Sequence, residues 1–335
     1  MFAAVAVSLA CVGDAVAQGQ PASPPIAPDQ QYLIIDVVNT GTLQRELAAA
    51  GGQGFEIIAS SNLCVLLKRT QSGPRTYQVV AATRDSTLVR ELNQAGARGF
   101  QLARAGLMTW GDEWIAILEQ RTEGVKFVYE AIKADDNVNR ALDSARQRSA
   151  RVVGVLGKRL NPNSFSAMSF KNPTPIVIVE QGGSPLSEEE VRERDYRAVS
   201  TTKTSTLEKE VIQAASEGFR IIGWGYMTVV LERTSGETRP ADFRVIATTR
   251  LATAQQELRQ AGEEGYRLVA TPDAANETIC VMQRMPGNSE RYNYLVASLS
   301  EKEADERMRS ALNDHYRLAA LILGRIGVFE KPATR

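Results

Sequence analysis

Few side chains in this chain have the types and spacing that chemistry needs. Among its 335 residues there is one histidine, His315, and there are three cysteines, Cys11, Cys64 and Cys280. Zinc sites and Ser/His triads cannot be built away from that single imidazole, because histidine is the commonest metal ligand and general base. The cysteines have no C-x-x-C spacing, so a metal knuckle or a redox pair is excluded. His315 stands where four similar segments carry Gly54, Gly99, Gly218 and Gly265. Histidine tolerates left-handed backbone better than most residues, so a turn is its expected role. Cys64 and Cys280 fall in equivalent strands, but counted back from Arg69 and Arg284 they differ by one position. A one-residue offset turns them to opposite faces, and two buried free thiols are expected, although export would permit a disulfide.

Two glycine-rich stretches imitate phosphate loops. Gly51-Gly52-Gln53-Gly54 sits at the end of an expected helix, where free carbonyls repel anions. Gly157-Lys158-Arg159 resembles a Walker tail, but Gly154 is too close and Ser/Thr is absent. Glu46, Glu91, Glu210 and Glu257 recur, as do Arg69, Arg121, Arg233 and Arg284. A catalytic residue is seldom needed four times, so both sets are expected to be structural. The chain is therefore read as non-enzymatic, with no metal and no cofactor.

The aromatics are more suggestive. Trp110, Trp114, Trp224 and Tyr226 lie in expected hairpins, and an Asn/Ser/Pro-rich insert at 158–175 carries Phe165, Met168 and Phe170. Such residues either pack a hairpin or anchor a partner from its tip. Trp110, Trp114, Phe165, Phe170, Trp224 and Tyr226 are the candidate binding residues.

Charge narrows the partners. Thirty-nine basic residues balance thirty-nine acidic ones, so no broad field attracts phosphate backbones and nucleic acid is not an expected partner. Residues 2–13 are apolar and precede Ala15-Val16-Ala17, which reads as a signal peptide at 1–17 without the usual basic start. Residues 18–30 form a Pro-rich linker. No later stretch approaches the ~20 apolar residues of a membrane helix. A periplasmic or secreted bacterial protein is expected.

The elements that would position these residues come as repeats. Strands opening with Tyr32, Tyr77, Phe127, Tyr196, Phe243 and Tyr292 recur every 40 to 70 residues or so. From Thr42, Thr87, Thr206 and Thr253 runs Thr-(Leu/Ala)-x-x-Glu-(Leu/Val)-x-x-Ala-x-x-x-Gly-(Phe/Tyr), a short helix with one apolar stripe. Ser205 with Glu208 and Thr253 with Gln256 are expected capping boxes. Third strands such as Cys64-Val-Leu-Leu and Ile115-Ala-Ile-Leu are apolar on both faces, the mark of a strand covered on each side. The expected class is α+β: six tandem β-α-β-β units with mainly antiparallel sheets, at 31–71, 76–122, 126–181, 196–234, 242–285 and 291–332. Each helix should cover one face, and a second unit the other, as back-to-back sheets or one longer shared sheet. Units three and six both lack the Gly, and matching segments lie roughly 165 residues apart, which suggests a duplicated triplet joined by a linker at 182–195.

The opening Tyr strand, Leu-x-x-x-Gly-x-x-Gly-aromatic and closing Lys-Arg or Gln-Arg strand resemble a family of small bacterial domains of unknown function, normally one copy per chain. In that family the aromatic after Gly is usually Trp, whereas here it is Phe or Tyr. The resemblance covers units one, two, four and five, and implies fold and bacterial origin only. The expected function is a binding or scaffold module for a protein or an envelope polymer. The alternatives are a small-ligand site in a cleft between the halves and a carboxylate-based hydrolase.

Overall fold

The computed structural model describes residues 26–121, 124–157, 174–183, 187–201, 203–235, 241–274, 277–287, 289–300 and 302–333. The signal peptide expected at 1–17, residues 18–25 of the expected linker, Phe165 and Phe170 lie outside them. Tyr32–Asp36 (β1), Thr40–Gly52 (α1), Phe55–Ser60 (β2) and Cys64–Arg69 (β3) form the first module. Tyr77–Ala82 (β4), Asp85–Ala97 (α2), Phe100–Trp110 (β5) and Glu113–Gln120 (β6) form the second. The third comprises Phe127–Lys133 (β7), Val138–Gln147 (α3), Arg151–Leu156 (β8) and Ile176–Gly182 (β9). A short helix, Glu188–Glu193 (α4), leads into Arg194–Ser200 (β10), Thr204–Ser216 (α5), Arg220–Gly225 (β11) and Thr228–Thr234 (β12). Asp242–Thr248 (β13), Leu251–Glu263 (α6), Arg267–Ala270 (β14) and Thr278–Arg284 (β15) follow, then Tyr292–Ser298 (β16), Ala304–Asn313 (α7), Arg317–Ile322 (β17) and Ile326–Pro332 (β18).

Among the described residues these strands make six three-stranded antiparallel sheets, an α+β fold of repeated units, and in each the third strand lies between the first and second. The apolar sequence of that central strand is thereby explained. Val65 and Leu67 face the core shared with the next module, while Cys64 and Leu66 face the core shared with the preceding one. Cys280 joins the core on the following side of its sheet, the opposite sense to Cys64, and both thiols are buried and free.

Covering of the second face differs from the expectation, since the sheets neither merge nor simply stand back to back. Each main helix wedges between its own sheet and the first strand of the next one. Leu43, Leu47 and Ala50 of α1 pack with Val65 and Leu67 on one side and with Tyr77, Ile115 and Ile117 on the other. Each such leucine, once buried, contributes about 1.5–3 kcal/mol. The same wedge recurs from module to module, and the last one closes the series: Ala304, Met308 and Ala311 of α7 pack with Tyr32, Ile34 and Leu66 of the first sheet. The modules therefore form a ring.

Contact between helix and next strand is close enough to need glycine. A Cβ on Gly51, Gly96 or Gly262 would collide with the carbonyl oxygen of Arg75, Phe127 or Tyr292. A row of unpaired backbone groups on an outer strand invites mispairing. Here side chains of the preceding helix occupy part of that row. Gln44 donates to Tyr77 O (3.0 Å) and accepts from Val79 N (2.7 Å). Asn93 does the same to both backbone groups of Tyr129, and Gln255 to Tyr294 O and Val296 N. At the closure, Asp305 accepts from Gln31 N (2.9 Å) and Tyr32 N (2.7 Å).

Local signals divide into those that hold and those that do not. Gly54, Gly99, Gly218 and Gly265 have φ of 80°, 86°, 88° and 90°, and the turn expected of His315 agrees with its φ of 65°. Ser149 takes that place in the third module, at 62°. The capping boxes expected at Ser205 and Thr253 are a misreading. The end of each first strand fixes the boundary, so α5 starts from Lys203 and α6 from Arg250, neither with a side-chain cap. A capping box does form between Ser187 and Glu190, at the start of α4, within the stretch expected as linker.

Each second strand carries a register shift against its central partner. A bulge places two consecutive side chains on one face. Ile58 and Ala59 accordingly both pack toward the sixth module.

Candidate functional site

The ring has two unlike ends. At one, each first strand begins and each third strand ends, and the recurring arginines lie there. Arg69 lies over the Phe55 ring (4.5 Å), Arg233 over Phe219 (4.7 Å) and Arg284 over Tyr266 (4.7 Å). Arg233 and Arg284 also pair with Asp195 (2.8 Å) and Asp242 (2.6 Å) of the first strand. These contacts clamp the closing strand to the opening one, with a cation on an aromatic face.

The same end holds buried carboxylates. Glu180 is 1% exposed and accepts from the Tyr129 hydroxyl (3.0 Å) and from Gln101 (2.8 Å). Glu330, 2% exposed, accepts from the Tyr294 hydroxyl (3.2 Å), Arg267 (3.0 Å) and Arg317 (2.5 Å). Burial first, and the neighbouring carboxylate second, push the phenols of Tyr129 and Tyr294 well above the ordinary tyrosine range. Among the described residues no group of His, Cys, Asp or Glu is arranged to hold a metal ion.

At the other end the turns between second and third strands converge on a cavity of ≈ 390 Å³. Every module contributes: Asn62, Thr109 and Gly111, Gly157, Tyr226, residues 271–274 with 277–279, and Ile322 with Leu323. Neighbouring tips are tied together. Thr109 Oγ1 donates to Gly157 O (2.9 Å), Met227 N to Asp273 O (2.8 Å), and Ser61 Oγ to Gly324 O (2.6 Å). Gly157 is required where it stands, since a Cβ there would run into the Cβ of Tyr226. Met227 and Leu323 hold φ of 45° and 46°, a conformation costly for large side chains, and Leu323 is 56% exposed at the wall. Two acidic residues line the space, Asp273 and Glu277, and Glu277 accepts from the Thr204 hydroxyl (2.8 Å). No Lys or Arg is among the described lining residues.

The candidate aromatics separate in this setting. Tyr226 lines the cavity, and Trp110 packs against the core between the first and second modules. Trp114, 5% exposed, packs with Ala82, Leu88 and Ala116 in the next core. Trp224 is 39% exposed on β11. Sequence reasoning missed Asn62, Thr109, Thr271, Asp273 and Glu277. Their one signal is position, because they lie in or beside the turns where the repeat stops agreeing with itself.

A second concavity, ≈ 520 Å³, opens between the third and fourth modules beside Arg146, Arg192, Arg194 and Arg233. Its guanidinium groups are engaged: Arg194 with Glu190 (3.0 Å) and Glu232 (2.7 Å), Arg146 with Val191 O. It offers less to a ligand than the tip cavity. No protein-family model matches the chain, and no curated protein matches it at a significant level.

Proposed function

We propose that this protein is a non-catalytic binding module, exported to the bacterial periplasm or beyond, that engages a protein or an envelope polymer with the hairpin-tip end of its ring. One observation carries the reading. All six modules direct their least similar segments at a single cavity, while their helices and outer strands are occupied in closing the ring. Variable turns on a rigid repeated frame are a common binding design. The apolar run before Ala15-Val16-Ala17 supports export. A small-ligand site between the halves is favoured by the lining itself, which draws on modules one to three and four to six alike.

The array is also read as a duplicated triplet. Modules three and six share the buried Glu bonded to a first-strand Tyr, at Glu180 with Tyr129 and Glu330 with Tyr294. The bond from Thr40 to Glu113 across modules one and two reappears as Thr204 to Glu277 across four and five.

The test is a blocked tip. Asn62→Trp should fill part of the cavity, leave the thermal unfolding midpoint unchanged, and weaken retention on envelope polymer or a purified partner at least tenfold. Arg69→Ala, at the opposite end, should leave retention intact. Unaltered retention by Asn62→Trp would remove the tip from consideration.

A further inference from the structure

Charge and shape at the tip cavity select among ligands. The chain as a whole is neutral, with thirty-nine charges of each sign, yet the cavity wall carries only acidic groups among its described residues. Within the described parts of the six inner turns the ionisable residues are Asp112, Asp273, Glu277 and Arg325, and Arg325 is bound to Asp36. The carboxylates of Asp273 and Glu277 at the wall therefore suit a cation. Glu277 is held by the Thr204 hydroxyl, which orients its carboxylate, and an ionised carboxylate has about four acceptor positions, so one such bond leaves capacity for a ligand. The same lining includes the aliphatic side chains of Ile279, Ile322 and Leu323. Acidic and aliphatic groups in one cavity match a group with a charged head on an alkyl stem.

Shape at the rim points to a larger partner from which that group projects. Leu63 and Leu323 are exposed, and the Leu63 side chain occupies the space where a Cβ on Gly324 would lie. An apolar rim beside a small acidic cavity suits a polypeptide resting on the tips with one side chain inserted. We infer that the tip cavity receives a lysine side chain of a partner polypeptide, its ammonium at Asp273 and Glu277 and its methylenes against Ile279, Ile322 and Leu323. The inference rests on the tip being the binding end, and it adds the chemistry that the tip selects.

The experiment compares two capped peptides, one with a central lysine and one with norleucine, the uncharged aliphatic counterpart, titrated calorimetrically against the full chain. The lysine peptide should bind at least tenfold more tightly than the norleucine peptide. Asp273→Asn and Glu277→Gln should each reduce that preference at least threefold, and the preference should shrink as salt is raised from 50 to 500 mM, as ion pairing requires. Glu277→Gln keeps an acceptor for Thr204, so its thermal midpoint serves as the folding control. Equal binding of both peptides, or binding of neither, overturns the inference. The Asn62→Trp retention assay separates the two failures: lost retention without a lysine preference refutes the lysine assignment alone, and unaltered retention refutes the binding end itself.

Discussion

The clamped end and the tip end of this ring are made by the same strands, only a few residues apart, and they obey different rules. At the clamped end the fourth and fifth modules match almost atom for atom. Arg197 pairs with Glu217 over Phe219, and Arg244 pairs with Glu264 over Tyr266. At the tip end the residue types of the turns differ even where two turns have the same length, as at 111–112 and 226–227 or at 61–63 and 323–325. Repetition persists where each module must hold its neighbour, because every junction meets the same geometric demand. It lapses where the turns face the cavity, and only there can one turn change without disturbing the next wedge.

The sharpest challenge to that division is Trp114, the second residue of β6, which lies beside a tip turn yet is buried among Ala82, Leu88 and Ala116. If burial rather than position decides its role, Trp114→Ala should cost about 3–5 kcal/mol, the range for deleting a large buried aromatic. Urea unfolding monitored by circular dichroism gives the value. A cost below about 1 kcal/mol would mean that the tip end extends deeper than the packing indicates.

Wedge geometry comes next. Gly262 has no room for a methyl group against the Tyr292 carbonyl, and Gly96 none against that of Phe127. Gly262→Ala and Gly96→Ala should each destabilise by about 1–3 kcal/mol through overpacking, despite the better helix propensity of alanine. Gly52, with open space around it, is the control, and Gly52→Ala should be neutral or mildly stabilising. Equal effects at all three positions would refute close approach as the reason for these glycines.

A pH series probes the clamped end without mutation. Burial, with help from Glu119, lifts the Tyr77 phenol from 10.0 to about 12, and burial with Glu232 does the same for Tyr196. The native state therefore keeps protons that the unfolded chain loses earlier. Stability from this source is complete below pH 10 and declines as pH rises from about 10 to 12. The denaturation midpoint should fall across that window, and Tyr196→Phe should flatten the fall. A wild-type midpoint constant to pH 11.5 would contradict the burial of these phenols.

What the sequence revealed follows the same division. Helix-ending glycines, the left-handed His315 and the doubly apolar third strands were legible because each expresses a local rule or a strict alternation. Closure of the ring was not, because the groups that secure it occupy no constant column. Gln44 and Gln255 follow the first buried apolar residue of their helices, Asn93 follows the second, and the last junction uses Asp305. Helix starts were misjudged because the strand end, and not the Ser or Thr, sets the boundary. The cavity was illegible for a simpler reason. Most modules supply one or two ordinary residues, such as Asn62 or Thr109, the fifth supplies more, and only the closure brings them together.

The smallest expected effect belongs to Trp224. The residue is 39% exposed, while the glycines on either side, Gly223 and Gly225, lie close to Gly154 and Val155 of the third module. The backbone of β11 is thus fixed by its glycines and not by its tryptophan. Trp224→Ala should change stability by no more than about 0.5 kcal/mol, as for a surface substitution. Gly225→Ala, which would press a methyl group against Val155 at 2.9 Å, should cost more than the loss of the whole indole. Paired urea titrations of the two variants decide the matter. Should the tryptophan prove the costlier loss, this face of β11 serves packing, and an exposed anchor for a partner must be sought elsewhere on the tips.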